Sequence, residues 1–289
     1  MTGTGTGNSD GSDPNADQRD AWSNRLATKW IARQDDLDRA FASVLAATLA
    51  QAGITDGARV LDIGCGGGTG CLLAAQCAQD VQVTGVDISG PLLDQARTRA
   101  GQAPVRYVEA DAQTYDLTAH GPFSHVISRF GVMFFADPVA AFSNIAAALR
   151  PGAALAMAAW GPPAGNPWFT LPHHTAAERL GRPPPADRSA PGPFAFHDAH
   201  RVADILTQAS LTDVAVETQD FRLAGDMDPV HIAAILADIG PVTGIMEMFG
   251  GTPDDLTAIQ AEILTRITPF YSDDIPGIPA QIHMITARA

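Results

Sequence analysis

Large apolar residues recur at helical spacing twice before residue 55. Trp22, Leu26 and Trp30 share one face of a helix predicted over residues 19–33. Leu37, Phe41, Val44, Leu45 and Leu49 do the same over residues 36–52, where Gly53 supplies a stop. Beyond residue 58 the pattern changes to short apolar runs, the mark of strands covered on both faces. They fall at residues 59–63, 81–86, 105–108, 123–128 and 153–160. Helical stretches separate them: 71–78, 91–100 behind the cap Ser89, and 138–149 behind Asp137. Strands alternating with helices predict βαβ units and a parallel sheet.

That rhythm ends at Gly161. Residues 161–193 hold nine prolines, too long a stretch for an ordinary connection, and predict a lid containing one helix over 170–180. Helices are predicted again at 199–209, 230–239 and 253–268, with strands at 214–223 and 281–287. The resulting division is a disordered polar tail (1–18), an N-terminal helical lid (19–57), a core (58–160), a Pro-rich cap (161–198) and a C-terminal remainder of the core with further cap helices (199–289).

Charge narrows the range of partners. The 32 acidic against 18 basic side chains give a net charge of −14, which argues against nucleic acid and against an anionic membrane surface. No apolar run approaches the roughly 20 residues of a membrane span. Cys65, Cys71 and Cys77 are spaced for neither zinc nor a secreted disulfide framework, and metal ligation by His173 and His174 has no supporting cluster. They predict thiols in a reducing, cytoplasmic setting.

The chemistry concentrates in Val60-Leu61-Asp62-Ile63-Gly64-Cys65-Gly66-Gly67-Gly68-Thr69-Gly70, a strand that breaks into glycines and resumes as a helix. Such a turn presents backbone N–H groups to a ligand. The dinucleotide pattern G-x-G-x-x-G fails in both registers, because its sixth position is Thr69 or Cys71. G-x-G-x-G fits at Gly64, Gly66 and Gly68, with Cys65 inside the loop and Asp62 two residues before it. No lysine follows as in a P-loop. Asp87 ends the second strand, where a carboxylate can accept from a ribose diol. Asp111 and Ala112 follow the third, where a carboxylate beside a free N–H can read an adenine edge. Ser128 ends the fourth. All four elements lie at carboxyl ends of strands, where open parallel sheets bind ligands.

Val60 to Gly68, Val86-Asp87-Ile88-Ser89 and Glu109-Ala110-Asp111-Ala112 resemble the successive motifs of class I S-adenosylmethionine (SAM)-dependent methyltransferases. Ser128-Arg129-Phe130-Gly131-Val132-Met133-Phe134-Phe135, Asp137-Pro138 and Leu149-Arg150-Pro151-Gly152 resemble the type 11 branch, which includes quinone-biosynthesis and natural-product enzymes. The resemblance implies a Rossmann-like, mostly parallel seven-stranded sheet of order 3-2-1-4-5-7-6 with helices on both faces. It implies that Gly64, Gly66 and Gly68 face the methionine part of SAM, Asp87 the ribose, Ile88 the adenine face, and Asp111 with Ala112 the adenine edge. Ser128 would approach the methionine amine or the sulfonium, and Trp30 would close over the cofactor. His125 stands where the family has an acidic residue, and Gly67 where it has Thr, Ser or Ala.

The expected activity is methyl transfer from SAM to an O or C atom of a small organic acceptor, with S-adenosylhomocysteine as product. Arg129, His173 and His174 are the candidates to serve the acceptor. A SAM-binding protein that regulates, or that catalyses a non-methylating reaction, keeps the same motifs and stays open. A nicotinamide oxidoreductase is disfavoured by the failed glycine pattern.

Overall fold

The computed structural model describes residues 13–272 and 274–289. Four helices open it: α1 (Ala16–Ser23), α2 (Arg25–Ala32), α3 (Gln34–Ala40) and α4 (Ala42–Ala52). Then come β1 (Arg59–Ile63), α5 (Thr69–Ala74), β2 (Gln82–Asp87), α6 (Gly90–Ala100), β3 (Val105–Glu109), β4 (Phe123–Arg129), α7 (Pro138–Ala147) and β5 (Leu149–Trp160). Helices α8 (Pro167–Leu180) and α9 (Ala199–Gln208) lead to β6 (Thr212–Leu223). Between β6 and β7 (Ile278–Arg288) lie α10 (Pro229–Asp238), α11 (Pro241–Phe249) and α12 (Pro253–Ile267).

The strand order is β3-β2-β1-β4-β5-β7-β6, with β7 antiparallel to both neighbours. This is the expected topology. Central strands are buried on both faces: Val60, Leu61, Val126, Ile127, Ala156 and Met157 have at most 1% of their surface exposed. β1 and β4 run parallel, and the strand order reverses between them, so a crevice opens at their carboxyl ends. Ser89, Asp137, Asp198, Asp228 and Thr252 each accept a first-turn N–H and fix where a helix starts.

The first two predicted helices are each broken once. Asn24 donates to the carbonyl and carboxylate of Asp20, a local bond that competes with helix continuation, and separates α1 from α2. Phe41 leaves the helical line at φ −104°, ψ 12° and packs its ring into an aromatic cluster instead. Of the expected disordered tail, residues 1–12 lie outside the described residues. Its last part is folded: Asn15 is 3% exposed and α1 begins at Ala16. Helix α11 carries no sequence signal, since Gly244 interrupts a short segment. Cys65 and Cys71 are buried, whereas Cys77 is exposed.

Among the described residues no single helix is long and apolar enough to cross a membrane. Helices α10 and α11, bent by 51°, pass that test only as a pair, and Ile232, Ile235 and Val242 on them are buried in the core.

Candidate active site

A cavity of about 430 Å³ opens over the carboxyl ends of β1 to β4. Its floor is the glycine loop. Gly64 has φ +66°, and a Cβ there would stand 2.6 Å from Gly131 Cα, so two glycines let the β1 and β4 turns touch backbone to backbone. Gly64 N and Cys65 N both donate to Val86 O, at 2.8 and 3.2 Å. A Cβ on Gly67 would collide with the Gln34 amide.

Asp87 stands beside the loop. Its Oδ2 accepts from Gly66 N (2.8 Å) and its Oδ1 from Ser89 N (2.9 Å). Desolvation pushes its pKa above the ordinary carboxylate value, against those N–H donors. Asp111 is held on both sides: Gln113 N donates to Oδ1 (2.8 Å) and Asn15 Nδ2 to Oδ2 (2.8 Å). Ile88 and Ala112 line the same wall. From above, Trp22 and Trp30 meet edge to face at 5.5 Å and also line the cavity.

The far half is aromatic. Phe130 stacks on Trp160 at 4.4 Å and 7°, and Phe41 stands edge-on to both. Trp168 and Phe169, from the start of α8, complete that chamber. Arg129 lines the cavity between the two halves, with Nη2 donating to Asp38 Oδ1 at 3.2 Å. Across the mouth, Lys29 Nζ contacts Asp238 Oδ1 (3.2 Å), Asp238 O (2.9 Å) and Thr243 Oγ1 (3.0 Å). Arg33 Nε reaches Asp238 Oδ2 at 3.2 Å.

Of the sequence candidates, Gly64, Cys65, Gly66, Asp87, Ile88, Asp111, Ala112, Trp30 and Arg129 converge on this cavity. Five do not. Ser128 is fully buried; its hydroxyl donates to Ile63 O (2.7 Å) and accepts from Gly131 N (3.2 Å), tying β4 to β1. Asp62 lies beneath the loop, 3% exposed, with Oδ2 accepting from Cys71 Sγ (3.2 Å). Burial pushes its pKa up to about 7. Gly68 has φ +83° and caps α5. His173 and His174 stand a turn or more along α8 from the chamber residues Trp168 and Phe169, about 6 Å too far on. Asn15, Gln34, Asp38 and the aromatic chamber escaped the sequence reading, because no motif links residues so far apart in the chain.

Residues 60–152 match a family described as a methyltransferase domain. The chain folds like phosphoethanolamine N-methyltransferase 2 of Haemonchus contortus, a structure in complex with S-adenosyl-L-methionine: TM-score 0.59, 20% identity, over 93% of this chain and 59% of that one. Residues 60–152 are thus similar to a methyltransferase domain, set in a fold shared with a solved SAM-bound methyltransferase. An uncharacterized methyltransferase of Mycobacterium tuberculosis is 40% identical over 99 residues, 34% of this chain and 48% of the relative. A fatty-acid O-methyltransferase of Mycolicibacterium smegmatis is 30% identical over 129 residues, 42% of this chain and 44% of the relative. The chain thus spans about half the length of the curated relatives it matches. The matched methyltransferase domain contains the glycine loop, Asp87, Asp111 and Arg129. Trp30, Gln34, Phe41, Trp160 and Trp168 come from outside it.

Proposed function

We propose that the chain binds SAM against the glycine loop and transfers its methyl group to an O or C atom of a small, largely apolar organic acceptor. One observation carries this reading: a single cavity joins the wall of Gly64, Gly66, Asp87 and Asp111 to the chamber of Phe41, Phe130, Trp160, Trp168 and Phe169. The residues fit the cofactor. A Cβ on Gly66 would meet nothing within 4 Å, so this turn of the loop leaves room for a ligand. Asp87 keeps lone pairs for a ribose diol after accepting one backbone N–H on each oxygen. Asp111, fixed by Asn15, is oriented for an adenine amine, and Ile88 and Ala112 supply the apolar contact and the free N–H.

Bound SAM supplies an activated methyl group on its sulfonium, so the cofactor carries the hard chemistry. The chain's part is alignment and exclusion of water. The aromatic chamber holds the acceptor's hydrocarbon, and the N-terminal helices with α8, α10 and α11 act as its cover. That cover and the net charge of −14 suit a small molecule in the cytoplasm better than a nucleic acid or a membrane. The fatty-acid O-methyltransferase among the relatives supports an oxygen acceptor.

Calorimetric titration with S-adenosylhomocysteine should give micromolar binding to the wild-type chain. Asp87→Ala should weaken it about 10- to 100-fold through loss of hydrogen bonds to a charged acceptor. Methyl-labelled SAM should then pass its label to some member of a panel of acids, phenols and quinols. Tight binding without transfer to any acceptor would overturn the transferase reading.

A further inference from the structure

Two side chains on the cavity wall carry a polar atom that is out of solvent and bonded to nothing: Gln34 Oε1 and Arg129 Nη1. The first can only accept a hydrogen bond. The second is a cationic donor. Asp38 joins them. Its carboxylate is bonded to the Gln34 side chain, to Arg129 Nη2 (3.2 Å), to Arg99 Nη2 (2.8 Å) and to Thr69 Oγ1 (2.5 Å). Arg99 is already satisfied, since Nη1 also donates to Gly67 O (2.7 Å) and Thr69 Oγ1 (2.9 Å). Two guanidinium groups therefore share one carboxylate, and the cluster keeps one positive charge in excess. The Arg129 side chain is 14% exposed and that of Asp38 12%, so water compensates that charge only weakly. Asp62 feels the same guanidinium from beneath the loop, but burial favours its neutral form. A cation held in place, with one free N–H and a counter-charge it shares with a second guanidinium, marks a place for an anion inside an otherwise acidic protein.

We propose that Arg129, backed by Asp38 and Arg99, forms a carboxylate-binding subsite where the glycine loop meets the aromatic chamber. The proposal rests on the methyltransferase reading for the two ligands that share the cavity, and either can supply the carboxylate. One source is the amino-acid end of SAM, whose ammonium then meets Gln34 Oε1. The other is an acidic acceptor with its hydrocarbon among Phe41, Phe130 and Trp160. Among the described residues no histidine lines the cavity, and an ionised carboxylate acceptor needs no base.

The test pairs each acid with a neutral counterpart: S-adenosylhomocysteine with 5′-methylthioadenosine, and decanoate with decanol. Arg129→Gln should lower affinity for the carboxylate-bearing member of one pair about 10- to 100-fold, leaving its neutral partner unchanged. Loss confined to S-adenosylhomocysteine, reproduced by Gln34→Leu, supports the subsite with the cofactor as source. Loss confined to decanoate, with Gln34→Leu silent, supports it with the acceptor as source. Equal losses for acid and neutral partner, or no loss in either pair, overturn it. Arg129→Lys keeps a cation beside Asp38 while removing the second nitrogen. It should melt close to wild type and show the same selective loss, which separates binding from folding. If the wild-type chain binds neither adenosine ligand, the methyltransferase reading fails, and the decanoate pair alone decides the subsite. Binding of none of the four probes overturns both.

Discussion

Asp62 and Ser128 each sit at or near the end of a central strand, and each faces away from the cavity. Successive strand side chains point to opposite faces, so Arg129 reaches the cavity while Ser128 beside it cannot. A motif fixes the position along a strand but not the face: Asp87 and Asp111 line the cavity and Ser128 does not. Ser128→Ala should cost about 1–3 kcal/mol, the penalty for unpaired buried groups at Ile63 O and Gly131 N, with affinity for S-adenosylhomocysteine preserved. Loss of affinity out of proportion to stability would return Ser128 to the site. Asp62 gives a pH prediction. Its folded pKa of about 7 lies above the unfolded value of 3.8, so the folded state holds the proton more tightly. The stability this contributes is fully present below about pH 4 and is lost as pH rises through 7. Between pH 5 and 8 the wild-type chain should lose roughly 2–3 kcal/mol relative to Asp62→Asn. Denaturant melts at the two pH values measure the gap, and a gap that does not change refutes the assignment.

At the scale of elements, the sequence located the central strands well because β1 and β4, buried on both faces, read as mostly apolar runs. Helix interiors other than that of α11 were equally visible. The breaks at Asn24 and Phe41 were not, since each depends on a partner the periodicity does not show: the Asp20 backbone in one case, the Phe130 and Trp160 rings in the other. The same limit applies to α8, which begins at Pro167 and so brings Trp168 and Phe169, not His173 and His174, to the chamber. The double variant His173→Ala, His174→Ala should therefore transfer methyl groups at the wild-type rate. A fall in kcat that tracks a histidine titration would contradict this geometry.

For the whole molecule, the methyltransferase domain and the segments around it divide the work. Within the matched span, residues 60–152, most residues singled out from motifs local in the chain line the cavity. The aromatic side, proposed above for the acceptor, was not legible in the sequence, because it is assembled from α2, α3, β5, α8 and α11, whose contributions meet only after folding. The mouth of the cavity is held where Asp238 meets Lys29 and Arg33, whose side chains remain 27–38% exposed. Exposed pairs of this kind each contribute about 1 kcal/mol or less. Dissolved ions screen them over a distance of about 10 Å at 0.1 M. The entrance is thus fastened in part by contacts that ordinary electrolyte loosens, beside the Lys29 hydrogen bonds to Asp238 O and Thr243 Oγ1. Ionic strength becomes a throttle on traffic. Stopped-flow release of S-adenosylhomocysteine should quicken between 20 and about 500 mM NaCl in the wild-type chain, and Asp238→Asn should be fast at every concentration.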